Sequence, residues 1–185
     1  GVHRIAKNIS YEISEDPTDA MFFLASALVT KSRITLKRCP LEFLELELLV
    51  LEKMNAHIKI KNEYKGKNGA RLADIEVFPS SLVAPPEKIT ARPYPGLNID
   101  NLPFFAVIAT QAKGETLIHD WVYEKRAIYY TELEKLGADV TLADPHRVFI
   151  KGPTPLRAAE LVCPPALRPA TILLIGMLAA EGESH

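Results

Sequence analysis

The amino-acid sequence predicts an α/β fold in which apolar helices form the centre and β-sheets lie outside them. The first observation is an internal repeat, since residues 51–60 return at residues 133–142, an offset of 82 (51 plus 82 is 133). The second is that the apolar runs 21–36 and 103–118, at the same offset, each open with a helix-length segment that is apolar on nearly every side. Such a helix must be buried all round. Because ordinary α/β folds place the sheet at the centre, this pattern predicts the reverse layering.

Repeat one, about residues 9–78, is expected to open with a short strand and then a central helix. Asp16 and Pro17 supply an N-cap oxygen and a first-turn proline, which favour a helix start. Glutamates among leucines predict that the second helix is amphipathic, with one face in water. The predicted elements are a strand at Tyr11–Ser14, a helix at Thr18–Thr30, a strand at Arg33–Lys37, a helix at Leu41–Met54, and strands at His57–Lys61 and Ala73–Phe78.

Repeat two, about residues 88–151, is expected to follow the order β-α-β-α-β-β. Gly137 predicts the end of its outer helix, because glycine readily adopts the left-handed conformation that closes helices. The predicted elements are a helix at Asn101–Ala112, a strand at Thr116–Asp120, a helix at Ala127–Leu136, and strands at Asp139–Leu142 and Val148–Lys151.

A partial repeat three, about residues 156–185, is expected to contribute one strand, Ala158–Val162, and one apolar helix, Pro169–Ala180. The sequence ends within this repeat, so we expect the third copy to be truncated. Together the three copies predict a single domain over residues 1–185. An uncovered apolar flank on the last helix would favour self-association of the chain.

Charge and apolar content argue against nucleic acid and membrane as partners. The formal net charge is −1 and the pI is near 6.6, so no global basic field is present. The lysines and arginines between residues 59 and 71 surround Asn68 and Gly69, which favours a solvated hairpin over a binding patch. The longest apolar run, Ile172–Ala180, is far shorter than the ~20 residues that cross a bilayer.

Several chemistries lack their residue patterns in this sequence. Cys39 and Cys163 have no CxxC spacing, and no apolar leader follows a basic N-terminus, which together favour a cytoplasmic setting. The five histidines show no ligand spacing, so we expect no metal site. The motifs GxSxG, GxGxxG and the P-loop are also missing, which argues against serine hydrolases, dinucleotide enzymes and nucleoside triphosphatases, and no cofactor is expected.

The starts of the central helices are the first candidate site. If the repeats superpose, the helices run parallel and their N-termini meet at one end, where helix dipoles favour phosphate or carboxylate. Thr18, Asp100 and Arg168 share this repeat position, since 18 plus 82 is 100 and 100 plus 68 is 168. Asp100 fits either a catalytic base or an ordinary N-cap. Arg168 opposes the helix dipole, so it requires an anionic partner from the protein or from a ligand.

A second candidate is the segment of residues 122–126, which lies between a predicted strand and the outer helix of repeat two. It reads Val-Tyr-Glu-Lys-Arg. Its charges fit a surface helix start as well as a site, and composition does not decide between the two.

Three segments resemble the enolpyruvyl transferases, within that family most closely the branch that uses UDP-N-acetylglucosamine. They are residues 92–100 (RPYPGLNID), residues 122–126 (VYEKR) and residues 166–168 (ALR), the last followed by an apolar helix and Ala-Glu-Gly at 180–182. Their order and separations also match. The resemblance runs from about residue 9 to the end and covers the C-terminal domain of such enzymes, incompletely.

The resemblance implies an inside-out α/β barrel domain and a transfer of the enolpyruvyl group of phosphoenolpyruvate to the 3-hydroxyl of UDP-N-acetylglucosamine, toward peptidoglycan. By this resemblance Asp100 takes the proton of the sugar hydroxyl. Arg126 and Arg168 hold the anionic substrates, and Glu124 supports Arg126. The other half of the site belongs to an N-terminal domain that is missing here, so this chain alone is expected to be inactive.

One departure from the family pattern keeps other functions open. The family usually has an aspartate two residues before the arginine of the third motif, where this chain has Ala166. The first alternative is therefore a stand-alone, non-catalytic module that uses the same fold for binding or assembly. Others are a relative of 3-phosphoshikimate 1-carboxyvinyltransferase and, more weakly, another protein of this repeat such as an RNA phosphate cyclase.

Overall fold

The computed structural model describes residues 8–185, and these form a mixed α/β fold. The elements in chain order are α1 (Pro17–Val29), β1 (Ile34–Pro40), a 3₁₀ helix (Leu41–Phe43), α2 (Glu45–Lys53), β2 (Ile58–Lys65), β3 (Arg71–Val77), β4 (Ile89–Thr90), α3 (Leu102–Ala109), β5 (Gly114–His119), a second 3₁₀ helix (Arg126–Leu136), β6 (Asp139–Asp144), β7 (Arg147–Gly152) and α4 (Leu167–Ala179).

Helices α1, α3 and α4 contact one another and form the centre of the molecule. Every residue of α3 is buried, as expected for a helix without a polar face. Phe22 of α1 and Phe104 of α3, which are 82 residues apart, pack edge to face with ring centroids 6.3 Å apart. The repeat therefore places equivalent aromatic side chains against each other. Within residues 8–185, no helix has the length and apolar character needed to span a bilayer.

Two open sheets pack against the central helices. The first has the strand order β1-β3-β2 and is antiparallel, with Ile34 and Ile58 both opposite Val77. The second has the order β4-β5-β7-β6, in which β4 is parallel to β5 and the other pairs are antiparallel. Helix α1 contacts the first sheet and α3 contacts the second. The strands of residues 8–185 pair as these two sheets and do not close into a barrel.

Two local predictions are confirmed by hydrogen bonds and backbone conformation. The Asp16 carboxylate accepts from the Thr18 amide at 2.7 Å, and Pro17 occupies the first turn, so α1 begins as the sequence predicts. Gly69 has a φ of +85° in the turn that joins β2 to β3, which confirms the hairpin. Its charges are paired across the strands, for example Lys61 Nζ to Glu76 at 2.8 Å.

Other expectations on strands were wrong where no neighbouring strand is available. Residues 11–14 form no strand, and Tyr11 and Ile13 are 75% and 85% exposed, so nothing pairs with them. Residues 158–162 form no regular strand either. They make scattered backbone hydrogen bonds to residues 181–185, such as Ala158 N to Glu181 O at 3.0 Å. The opening strand of repeat two, to which the sequence analysis assigned no residues, is β4, whose two residues are too few to show an alternation pattern.

Two helices differ in form from the prediction. The expected helix at 41–54 is split into a 3₁₀ turn and α2 at Leu44, where φ is −118° and ψ is −2°. The expected α-helix at 127–136 is an 11-residue 3₁₀ helix, longer than such helices usually are. Gly137 closes it in the left-handed conformation, as predicted. Periodicity found both segments but did not reveal the tighter winding.

Candidate active site at the N-terminal ends of the central helices

The structure brings together the three residues that share one repeat position. Arg168 Nη2 donates to Thr18 Oγ1 at 3.2 Å, and Arg168 Nε lies 4.0 Å from Asp100 Oδ1. The starts of α1, α3 and α4 therefore meet at one end, as the repeat spacing predicted. The anionic partner that Arg168 requires is supplied, at the limit of ion-pair distance, by Asp100.

Asp100 is not the N-cap of α3, so capping does not explain it. The N-cap position belongs to Asn101. The backbone amide of Asp100 donates to Asn98 Oδ1 at 2.8 Å, which orients the backbone. The Asp100 carboxylate takes no part in this hydrogen bond. The Asp100 side chain is 39% exposed and its Oδ1 has two arginines as neighbours, Arg168 and, at 3.8 Å, Nη1 of Arg126. A partly exposed carboxylate between two guanidinium groups can accept a proton from a hydroxyl held beside a bound anion.

Arg126 is buried and most of its donors are committed within the protein. Its Nε and Nη2 form a two-pronged pair with Asp120, at 2.6 and 2.9 Å, and Nη2 also donates to the Ile99 carbonyl at 2.7 Å. The guanidinium lies 4.5 Å from the Tyr123 ring centroid. Burial, the largest single influence, lowers the pKa of Arg126, but the hydrogen bonds that it donates to Asp120 and the neighbouring Tyr130, Asp120 and Asp100 together raise the pKa above its ordinary value. Nη1, on the Asp100 side, remains for a ligand.

Asp120 is the functional neighbour that the sequence analysis missed. Its side chain is fully buried directly after β5, where it accepts from Arg126 and from the Tyr130 hydroxyl. Burial, followed by the Asp120 carboxylate, raises the pKa of Tyr130 well above its ordinary range, so the phenol keeps its proton and donates it. The sequence did contain one signal for this role, because Asp120 is a carboxylate at the end of a predicted strand, six residues before Arg126.

The structure assigns the support of Arg126 to Asp120 and not to Glu124. Glu124 is exposed in the turn before the 3₁₀ helix, where Lys125 has a φ of +59°. This turn directs Arg126 into the protein and leaves Glu124 on the surface. The family resemblance suggested Glu124, and the buried pairing is made by a residue from the end of β5.

Ala166 occupies the N-cap position of α4 and offers no side-chain oxygen to the helix. An aspartate at this position, as in the family pattern, would cap the helix and add a negative charge near Arg168. On the α1 side, the hydrogen bond that Asp16 accepts from the Thr18 hydroxyl lowers the pKa of Asp16, and the positive charge of Arg168 contributes a smaller decrease. Asp16 therefore provides negative charge near Arg168 in a chain that has alanine at 166.

The described residues at the helix ends suit anion binding and proton transfer. Across residues 8–185, no three His, Cys, Asp or Glu side chains cluster so that they could hold a metal ion. The site instead offers one carboxylate, two guanidinium groups and the Thr18 hydroxyl at the convergence of three helix N-termini. Such a set can bind a phosphate or carboxylate and deprotonate a neighbouring hydroxyl.

Similar proteins point to one family. UDP-N-acetylglucosamine 1-carboxyvinyltransferase from Bacteroides thetaiotaomicron is 33% identical over 181 residues, which covers 94% of this chain and 40% of the relative. The enzyme of the same name from Porphyromonas gingivalis is 46% identical over 99 residues, or 52% of this chain and 23% of the relative. Where a relative matches most of this chain, the chain thus spans about 40% of that relative's length.

Solved structures show the same fold at lower identity. EPSP synthase from Acinetobacter baumannii superposes with a TM-score of 0.76 at 23% identity, covering 92% of this chain and 41% of that one. The enolpyruvyl transferase NikO from Streptomyces tendae gives a TM-score of 0.73 at 24% identity, covering 91% and 37%. The family model of EPSP synthase (3-phosphoshikimate 1-carboxyvinyltransferase) matches residues 1–184. The chain therefore belongs to the EPSP synthase family of enolpyruvyl transferases.

Proposed function

We propose that this chain supplies one side of the active site of an enolpyruvyl transferase that uses UDP-N-acetylglucosamine. The reaction moves the enolpyruvyl group of phosphoenolpyruvate to the 3-hydroxyl of the sugar nucleotide and releases phosphate, as a cytoplasmic step toward peptidoglycan. The names of the relatives from Bacteroides and Porphyromonas support this choice of acceptor. Because the chain spans about 40% of such relatives, the remaining part of the site belongs to another portion of the complete protein.

One observation carries the proposal. Asp100 lies within 4.0 Å of two guanidinium groups, from Arg126 and Arg168, at the shared end of three helices. In the proposed reaction Asp100 accepts the proton of the sugar hydroxyl, while both arginines bind the anionic groups of the substrates. Glu124, exposed at the same end of the 3₁₀ helix, would contact substrate or the other domain instead of Arg126.

The proposed architecture of the complete domain follows from the two repeats that are present. We infer one domain over residues 1–185, with repeats at about 9–78, 88–151 and 156–185. Each full repeat lays a sheet against a central helix, so a third sheet against α4 would give the inside-out α/β barrel. Nothing comparable covers α4 among residues 8–185, where Leu174 and Leu178 are 46% and 58% exposed.

Phosphate release by the full-length protein tests the proposal. We expect turnover with phosphoenolpyruvate plus UDP-N-acetylglucosamine, and at least about 100-fold lower kcat/KM with shikimate 3-phosphate as acceptor, since a site built for one acceptor leaves polar groups unpaired with the other. The reverse preference would reassign the protein to the shikimate branch.

A second candidate is a non-catalytic module that keeps the same fold. The observation that favours it is Ala166, which leaves α4 without its side-chain cap and removes a charge from the site. This candidate predicts that the full-length protein binds UDP-N-acetylglucosamine in calorimetry but releases no phosphate with either acceptor. Turnover above background with either acceptor would exclude it.

A further inference from the structure

The segment that carries Asp100, residues 91–101, contacts the hydrophobic core through Ala91, Leu97 and Ile99, whereas the part between Ala91 and Gly96 is exposed. Arg92, Pro93, Tyr94 and Pro95 are all exposed. A groove of about 420 Å³ separates the segment from α2 and the turn before it. The exposed part adds no packing, so specific hydrogen bonds, beside the core contacts, contribute to the position of Asp100.

Some of these bonds are internal to the segment and set only its local shape. Gly96 N donates to the Pro93 carbonyl at 2.7 Å, and Asp100 N donates to Asn98 Oδ1 at 2.8 Å. Bonds of this kind define a turn but do not fix where it lies relative to the rest of the protein.

Glu47 of α2 makes two hydrogen bonds that do fix the position of the segment. Its Oε1 accepts from the Asn98 amide at 3.2 Å and from Asn101 Nδ2 at 2.8 Å. These donors lie on either side of Ile99 and Asp100. One carboxylate oxygen from repeat one therefore holds both ends of the four-residue stretch that contains Asp100.

Glu47 is buried, with 2% of its surface exposed, in the first turn of α2. Burying a carboxyl group is unfavourable unless donors compensate, and the Asp100 segment supplies two, the Asn98 backbone amide and the Asn101 side-chain amide. An apolar residue at this position would bury itself without that cost. The two partners of the carboxyl group therefore indicate what it does.

We infer that Glu47 is a positioning residue for Asp100, acting through Asn98 and Asn101. It fixes the Asp100 backbone together with Arg126, which donates to the Ile99 carbonyl at 2.7 Å. The two contacts together clamp the Asp100 carboxylate in the direction of Arg126 and Arg168. The effect on catalysis rests on the proposed function, whereas the hold on the segment stands on these contacts alone.

The test compares Glu47→Leu and Glu47→Gln in the full-length protein. Leucine removes the acceptor, so we expect amide hydrogen exchange at residues 98–102 to accelerate about tenfold or more, with less change elsewhere in α2 and the first sheet. We expect kcat to fall about 10- to 100-fold with KM nearly unchanged, because misplacing the base affects the transition state more than substrate binding. Glutamine keeps an acceptor oxygen and should restore both properties to within about threefold of the wild type.

Two further variants sharpen the comparison. Glu45→Leu changes an exposed residue on the same helix turn, and we expect neither exchange at 98–102 nor kcat to change by more than about twofold. Asn101→Ala removes one of the two donors to Glu47. This variant replaces Glu47→Leu in the test if Glu47→Leu does not fold. It should raise exchange at Asn98 and Asp100 as Glu47→Leu does.

The outcomes separate this inference from the proposed function. Unchanged exchange at 98–102 in Glu47→Leu and in Asn101→Ala would overturn the inference, and so would equal acceleration throughout the protein. A glutamine variant as impaired as leucine would also overturn it. A further outcome is that the full-length protein transfers no enolpyruvyl group, while Glu47→Leu accelerates exchange at 98–102 and Glu47→Gln restores the slow exchange. That result supports the positioning role and contradicts the proposed function.

Discussion

Arg168 and Thr18 lie 150 residues apart in the chain, yet Arg168 Nη2 donates to Thr18 Oγ1 at 3.2 Å. Both are at the start of a central helix, and both occupy the repeat position that Asp100 fills in the second copy. The contact shows how internal repetition builds a site, because equivalent positions of three copies are brought to one point and each carries a different functional group. One copy supplies a hydroxyl, one a carboxylate and one a guanidinium.

We predict that Asp100→Asn lowers kcat of the full-length enzyme by at least about 100-fold, since it removes the proposed base and keeps the shape of the side chain. The measurement is phosphate release at saturating substrates. Asp139→Asn, an exposed change on β6, is the matched control and should retain turnover. Undiminished turnover in Asp100→Asn would rule Asp100 out as the base.

Asp120→Ala is predicted to destabilise the protein by about 3–5 kcal/mol, because it leaves the buried Arg126 guanidinium and the Tyr130 hydroxyl without their partner. Urea unfolding followed by circular dichroism measures this. Asp139→Ala should change the free energy of unfolding by no more than about 0.5 kcal/mol. Equal effects of the two variants would contradict the importance of the Asp120 pairing.

Ala166→Asp is predicted to stabilise the protein by about 1 kcal/mol, because α4 lacks a side-chain cap and aspartate is a favoured N-cap residue. Ala166→Asn provides the same cap without charge and should give a similar gain in urea unfolding. If only aspartate stabilises, the gain comes from its charge near Arg168 instead of the cap. A loss of stability in both variants would be inconsistent with an open N-cap position.

The stability of the protein should depend on pH through Glu47. Burial raises the pKa of Glu47 above its ordinary value of 4.5, against the hydrogen bond from Asn101, so the folded protein binds this proton more tightly than the unfolded chain. The resulting stability is fully present below pH 4.5 and is lost as pH rises through the folded pKa.

Glu47→Gln removes this titration. We therefore predict that the free energy of unfolding of the wild type, relative to Glu47→Gln, decreases as the pH of the urea titrations rises from about 4 to 8. A difference that increases over this range would show that the ionised carboxylate is the favoured form in the folded state.

We predict that this 185-residue chain self-associates through α4, where Leu167, Leu174 and Leu178 are 70%, 46% and 58% exposed. Light scattering at increasing concentration should give a mass above that of one chain. The double variant Leu174→Gln with Leu178→Gln should shift the mass toward the monomer. Glutamine at the exposed Val162, away from the helix, is the control. A monomer at all concentrations would refute association through this helix.

The 82-residue repeat determined much of the fold before any coordinates. Together with the offset of 68 residues to the third copy, it located the three central helices and the equivalence of Thr18, Asp100 and Arg168, while turn residues located the hairpin at Gly69. Periodicity, capping and turn residues are local signals, so the sequence alone carries them. The strand predictions that failed, at 11–14 and 158–162, depended on neighbours that a sequence pattern does not reveal.

Only the tertiary structure decided which side chains hold the site. Arg126 pairs with Asp120 and not with the adjacent Glu124, and Glu47 reaches Asn98 and Asn101 from another repeat. The physical reason is that a buried charge selects its partner by geometry and desolvation, which are set by packing between distant segments. The sequence determined which residues meet at the helix ends, and packing determined how each is held.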